Sequence, residues 1–210
     1  MIRSHPSEQL LTGYATGELP VAPGLVVAAH SETCRVCNAR IRQIEEVSGD
    51  LLSSLPEEKL APDALARMLD RIEHAPLEME PSPEPWTAGI AIPTAVARFG
   101  LAHRRWLKPG LWIAHVRVPR AGGWRAYLVG GEANARVPAH THNGLELISV
   151  LQGAYHDDRR HSQGDFAQAN RGAQHSQQVT ADGPCVCLVA TSAPARWRGA
   201  AKFIAPLFDL

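Results

Sequence analysis

Along the first third of the chain apolar residues recur every three or four positions, whereas the remainder is built from short apolar runs between turn residues. Ser7 suits an N-cap, Glu8 and Gln9 a first turn, and Leu10, Leu11 and Tyr14 fall at helical spacing, which predicts a short helix over 7–16 that Gly17 and Pro20 end. Pro23 and Gly24 introduce a second apolar stretch, Leu25-Val26-Val27-Ala28-Ala29, with His30 at its far end. Ile41, Ile44, Val47 and Leu51, separated by Arg40, Arg42, Glu45 and Glu46, predict a third helix with one apolar stripe. Pro62 and Asp63 suit the start of a fourth, in which Leu65, Met68, Leu69 and Ile72 follow the i, i+3, i+4, i+7 pattern up to His74. Stripes of this kind ordinarily face their own core, so residues 1–75 read as a small all-α domain of four helices.

Pro76, Pro81, Pro83, Pro85 and Pro93 cannot propagate a helix, and the stretch 76–93 reads as an extended linker and a domain boundary. From residue 94 to residue 210 the pattern changes to β-rich runs, at 111–118, 124–129, 145–151, 166–169 and 185–190, divided by Gly-containing turns. Such spacing predicts an all-β sandwich or barrel. There is no internal repeat, no Gly-rich phosphate loop and no Gly-x-Ser-x-Gly elbow.

With 210 residues and 45% apolar content, each part is large enough to bury a core of its own. No apolar run reaches the length of a membrane span or of a signal-peptide core, so a cytoplasmic protein without a membrane partner is expected. The formal net charge is zero, but residues 1–75 hold seven Lys/Arg against eleven Asp/Glu. That balance argues against direct nucleic-acid binding by the helical part.

Two groups of residues carry candidate chemistry. In His30-Ser31-Glu32-Thr33-Cys34-Arg35-Val36-Cys37 an imidazole and two thiols lie within eight residues. Cys-x2-Cys presents two thiolates to one ion, and His30 falls on the same side if the segment is helical, which fits three ligands of a tetrahedral zinc. The same motif can serve redox chemistry beside a βαβ unit, but no such unit surrounds it here. The second group is His140-Thr141-His142-Asn143-Gly144-Leu145-Glu146, followed by Gly153, Gly164, Gly172 and His175. Histidines two apart on a strand share a face, and Glu146 and His175 would complete a three-His, one-Glu site for zinc, iron, manganese or nickel. Four further histidines, His103, His115, His156 and His161, lack such companions. The remaining thiols, Cys185 and Cys187, lie on one face of a strand, either as inert packing residues or as a redox pair.

The spacing His140-x-His142-x3-Glu146-x6-Gly153, with Gly164 to Gly172 and His175 after it, resembles the two motifs of the cupin superfamily. Two positions depart from the usual pattern: Asn134 stands for a glycine upstream of the first histidine, and Asn170 for the proline of the second motif. A His-Cys-Cys helical module, a Pro-rich linker and a carboxy-terminal cupin together resemble the ChrR-like zinc anti-sigma factors over nearly the whole chain. That resemblance implies an all-α zinc domain followed by a jelly-roll-like cupin barrel. It implies that His5 completes the first zinc site with His30, Cys34 and Cys37, and that His140, His142, Glu146 and His175 hold a second ion. It further implies a non-enzymatic protein that clasps an extracytoplasmic-function sigma factor and releases it on exposure to singlet oxygen or related oxidants. Two other readings stay open on the residues alone: a metal-dependent cupin dioxygenase or isomerase with an accessory helical domain, and a zinc-containing DNA-binding regulator.

Overall fold

The computed structural model describes residues 2–76, 84–119, 121–199, 202 and 208. Pro81 and Pro83 of the expected linker therefore lie outside the described residues.

The helical part begins with α1 (Glu8–Ala15), whose Ser7 hydroxyl accepts the Leu10 amide at 3.3 Å as an N-cap. α2 (Val21–Thr33) and α3 (Arg35–Ser53) follow, parted only by Cys34, which leaves the helical region at φ −99°, ψ 100°. α4 (Ala64–Glu73) comes next. The apolar stretch 25–29 is the middle of α2, and this helix is covered on several sides: Ala22, Leu25, Val26, Val27, Ala28 and Ala29 are all buried. A helix apolar around its circumference needs packing partners on more than one side. Val27 joins Leu11 of α1, Cys34 at the break, and Cys37 and Ile41 of α3. Ala22, Leu25, Val26 and Ala29 instead join the β-rich part of the chain. The helical part thus has a small core of its own around the cysteines, and shares the other side of α2 with the β-rich part.

The two later stripes also depart from expectation. In α3 burial ends after Ile41, and Val47, Leu51 and Leu52 are exposed. In α4 nothing is buried, and Leu65, Met68, Leu69 and Ile72 face away from any core. Periodicity located the apolar faces correctly, but nothing among the described residues buries the α4 face or the α3 face beyond Ile44.

After a 3-10 turn (Pro85–Thr87) and the four-residue α5 (Thr94–Ala97), the strands are β1 (Arg105–Lys108), β2 (Leu111–His115), β3 (Arg125–Gly131), β4 (His140–Thr141), β5 (Glu146–Gln152), β6 (Ala154–His156), β7 (Arg160–Ser162), β8 (Phe166–Ala169), β9 (Gln174–His175), β10 (Gln178–Val179), β11 (Cys185–Thr191) and β12 (Arg196–Trp197). Each strand run expected from the sequence is present. They form an antiparallel sheet in the order β1-β2-β3-β11-β5-β8 and two small sheets, β10-β6-β7 and β12-β4-β9. Among the described residues these are separate hydrogen-bonded sheets, not one closed barrel.

β11 is buried along its whole length, and its alternation separates two cores. Val186, Leu188 and Ala190 meet α2, while Cys185, Cys187 and Val189 point the other way, toward Ile113, Ile148 and Tyr155. Gly130 on β3 is required by packing, because a Cβ there would sit 2.1 Å from the Trp112 ring. Glu32 adds a polar tie between the parts: its carboxylate accepts the Thr94 and Ala95 amides at 3.1 and 3.2 Å.

Candidate metal centres

The first cluster gathers His5, His30, Cys34 and Cys37, whose ligand atoms all lie within 4.8 Å of one another. His30 lies in the last turn of α2, Cys34 is the break, and Cys37 lies in the first turn of α3, so the break aims both thiols at the imidazole. His30 Nε2 lies 3.3 Å from Cys37 Sγ, and His5 Nδ1 lies 3.4 Å from each sulfur. The edges of a tetrahedron with zinc–sulfur and zinc–nitrogen bonds of about 2.3 and 2.0 Å are about 3.5 Å long, so the spacing fits a four-coordinate ion. Burial drives the His30 imidazole down to about 4 and, with Cys34 beside it, the Cys37 thiol up to about 12. A dry pocket favours neutral side chains, and a bound dication would favour thiolates instead. The His30 Nδ1 atom makes no hydrogen bond of good geometry, although the Gly164 backbone faces the ring.

The second cluster gathers His140, His142, Glu146 and His175 within the same limit. β4 supplies His140, the turn after it His142, β5 Glu146, and β9 His175, which pairs across the small sheet with His140. His175 Nε2 lies 2.7 Å from His142 Nε2 and 3.0 Å from His140 Nε2, and Glu146 Oε2 lies 3.6 and 3.7 Å from His142 and His175. His140 donates its Nδ1 hydrogen to the Pro138 carbonyl at 2.9 Å, and His175 donates its own to Asp157 at 2.6 Å. Both Nε2 atoms therefore present lone pairs to the same point, which is the tautomer a metal needs. Glu146 Oε2 is buried without a hydrogen-bond partner, and burial together with the Asp157 charge raises its carboxyl to about 8. Burial, foremost, lowers His140 and His142 to about 4. An unpaired carboxylate oxygen facing three convergent imidazole nitrogens is costly without a cation and favourable with one.

Asp157 was not singled out by the sequence, where it begins the polar run Asp157-Asp158-Arg159-Arg160 and reads as a solvated turn. Its signal is spatial: a carboxylate on the outer nitrogen of a candidate ligand orients that ring. Asn134 takes up a left-handed conformation, φ 64°, and so fills the place of the expected glycine without changing the backbone. Of the companionless histidines, His161 is buried and stacks on Tyr155 at 4.8 Å, a packing role.

Two cavities adjoin these clusters. One, of about 290 Å³, reaches His140 and Glu146 past Cys185, Cys187 and Trp197. The other, of about 650 Å³, has His5 on one side and Asp157 and His175 on another. Cys185 and Cys187 are free thiols with sulfurs 3.8 Å apart. The Cys185 side chain and burial hold the Cys187 thiol well above its usual range.

Comparison with known proteins places these features in a lineage. Residues 95–195 match the ChrR cupin-like domain family. The anti-sigma-E factor ChrR of Cereibacter sphaeroides is 33% identical over 100% of this chain and 99% of its own length. The crystal structure of Rhodobacter sphaeroides SigE in complex with the anti-sigma ChrR is similar over 91% of this chain and 100% of that one, with 31% identity and a TM-score of 0.71. Full-length identity at this level, over a chain that brings both four-residue clusters together, shows that it belongs to the ChrR family.

Proposed function

We propose that this chain is a cytoplasmic anti-sigma factor: it sequesters an extracytoplasmic-function sigma factor and releases it under oxidant stress, singlet oxygen included, sensed through the cupin part. The observation that carries the proposal is the uncovered apolar surface of α3 and α4, where Val47, Leu51, Leu52, Leu65, Met68, Leu69 and Ile72 are all exposed. Isolated exposed apolar residues are ordinary, but an exposed apolar stripe along each of two consecutive helices marks surface that a partner covers. The relative whose structure was solved with SigE supports a sigma factor as that partner. The acidic excess of residues 1–75 suits a basic one. No described helix is long and apolar enough to cross a membrane.

In this reading residues 1–75 form a zinc-binding domain of four helices, 76–93 the linker, and 94–210 a cupin domain whose sheets are the walls of a jelly-roll-like barrel. His5, His30, Cys34 and Cys37 hold zinc, which contributes folding energy to a helical module with few buried side chains. His140, His142, Glu146 and His175 hold zinc or another divalent ion such as manganese, iron or nickel, and the role of that site is regulatory, not catalytic. Release requires the cupin part to favour a state of the helices with lower affinity for the partner. Because α2 is packed against the sheet, movement there bears directly on the helix that carries His30.

The test is co-expression with an extracytoplasmic-function sigma factor of the same organism, followed by size-exclusion chromatography and metal analysis. A complex holding two metal ions per anti-sigma chain is expected. A chain that runs alone while both proteins are folded would remove the proposal.

A further inference from the structure

Three of the four residues in the first cluster, His30, Cys34 and Cys37, are placed by α2 and α3. His5 is different: it is exposed and precedes the first helix, so no helix of its own fixes it. The backbone beside it is held from elsewhere. Asp165, in the turn between β7 and β8, is 2% exposed. Its Oδ1 accepts the amides of Arg3 and Ser4 at 2.6 and 3.2 Å, and its Oδ2 accepts the Ser162 amide at 2.8 Å. The Phe166 amide donates to the Ser4 carbonyl at 3.1 Å, closing the tie from the other side.

We infer that Asp165 is a positioning residue for the amino-terminal metal cluster: it pins residues 3 and 4 to the cupin part and thereby presents His5 to Cys34 and Cys37. This inference rests on the reading of that cluster as a metal site.

Only an ionised carboxylate meets the demand made at this point. All three groups facing it are N–H donors, and a carboxylate has acceptors alone, whereas the amide of asparagine would turn its own hydrogens toward one of them. A bland role, closing the β7–β8 turn, accounts for Oδ2 and Ser162. It leaves Oδ1 unexplained, since that oxygen serves residues more than 160 positions away. The neighbouring residues are shaped to the same contact. Gly164 has φ +87°, and a Cβ there would come within 2.8 Å of Ile2 Cγ1, so the amino-terminal segment lies directly on the turn. The Phe166 ring meets the His30 ring edge-on at 5.7 Å. The same turn opens β8, whose last residue, Ala169, pairs with Glu146 of the second cluster.

Cobalt(II) substitution of the full-length chain tests this, in a background carrying Cys185→Ser and Cys187→Ser so that only Cys34 and Cys37 supply thiolates. Thiolate-to-cobalt absorption then reports the first cluster alone, and chelator competition gives its affinity. Asp165→Asn is expected to lower that affinity about ten- to a hundredfold, the usual effect of removing a residue that orients a ligand. His5→Ala should give a similar loss, and Asp165→Asn added to His5→Ala should cost little more, because both act through one ligand. Arg3→Pro removes one of the pinned amides without altering the cupin part, and should weaken the site in the same direction; it decides the matter if Asp165→Asn does not accumulate as folded protein. Unchanged affinity in the single variants overturns the inference, as does a full further loss from Asp165→Asn on the His5→Ala background. A parent without thiolate–cobalt absorption overturns the metal reading itself, and this inference with it.

Discussion

The sharpest test of partner binding is the pair of substitutions Met68→Glu and Leu69→Glu in α4. These side chains are 52% and 56% exposed, so about half of each remains to be covered by a partner. Full burial of such a side chain is worth about 1.5–3 kcal/mol, which leaves about 1 kcal/mol or more per residue for the complex. Glutamate forfeits that gain and adds the cost of desolvating a carboxylate, so the two changes should weaken binding by about 3 kcal/mol, near a hundredfold in Kd. The folded chain should not register them: both sites are outside any core, and glutamate is a good helix former, so its stability should move by less than about 0.5 kcal/mol. Isothermal titration against the purified sigma factor, with thermal melts of the free chain, measures both quantities. Parental affinity in a folded double variant would show that the α4 stripe is not the docking surface. A large fall in melting temperature would show instead that it packs within the chain.

Cys34→Ser or Cys37→Ser should lose one metal ion per chain and partner binding together, read by metal analysis and a sigma-dependent reporter, because removing one thiolate opens a structural site. Glu146→Ala should keep the reporter repressed but block its induction by singlet oxygen, and a reporter already active without oxidant would refute the division of labour between the clusters. Asp157→Ala should lower metal affinity at the second cluster about ten- to a hundredfold by freeing the His175 ring, measured by chelator competition. Replacing both Cys185 and Cys187 with serine should leave the time course of oxidant-driven release unchanged, because contact with the Cys185 side chain, and then burial, keep the Cys187 thiol protonated; slower release would mark the pair as a redox sensor.

How much was legible in the sequence differs from residue to residue. His30, Cys34 and Cys37 could be read as ligands because they lie close together in the chain, and so could His140, His142 and Glu146. His5 could be assigned only through the family resemblance, since no local spacing links it to Cys34. Asp157 and Asp165 were invisible for the same reason: each sits in a polar turn, and its partner is supplied by tertiary structure. The apolar faces of α3 and α4 were found by their period, but a period does not say what covers a face. For α2 the apolar run Leu25–Ala29 was legible as a stretch that leads to His30, but not that it is buried on several sides or that one covering surface is a sheet formed much later in the chain.

That order of appearance has a consequence for biosynthesis. The strand at the centre of the main sheet is the last long one made, so about 150 residues separate α2 from the strand that joins β3 to β5 beneath it. At roughly 5–20 residues per second the ribosome requires about eight to thirty seconds to supply it. During that interval Ala22, Leu25, Val26 and Ala29 have only the separate β1-β2-β3 and β5-β8 pieces, and no joined sheet, to lie against. A nascent chain stalled ahead of Cys185 should accordingly bind an apolar dye or a chaperone through α2, and lose that binding once translation passes Thr191.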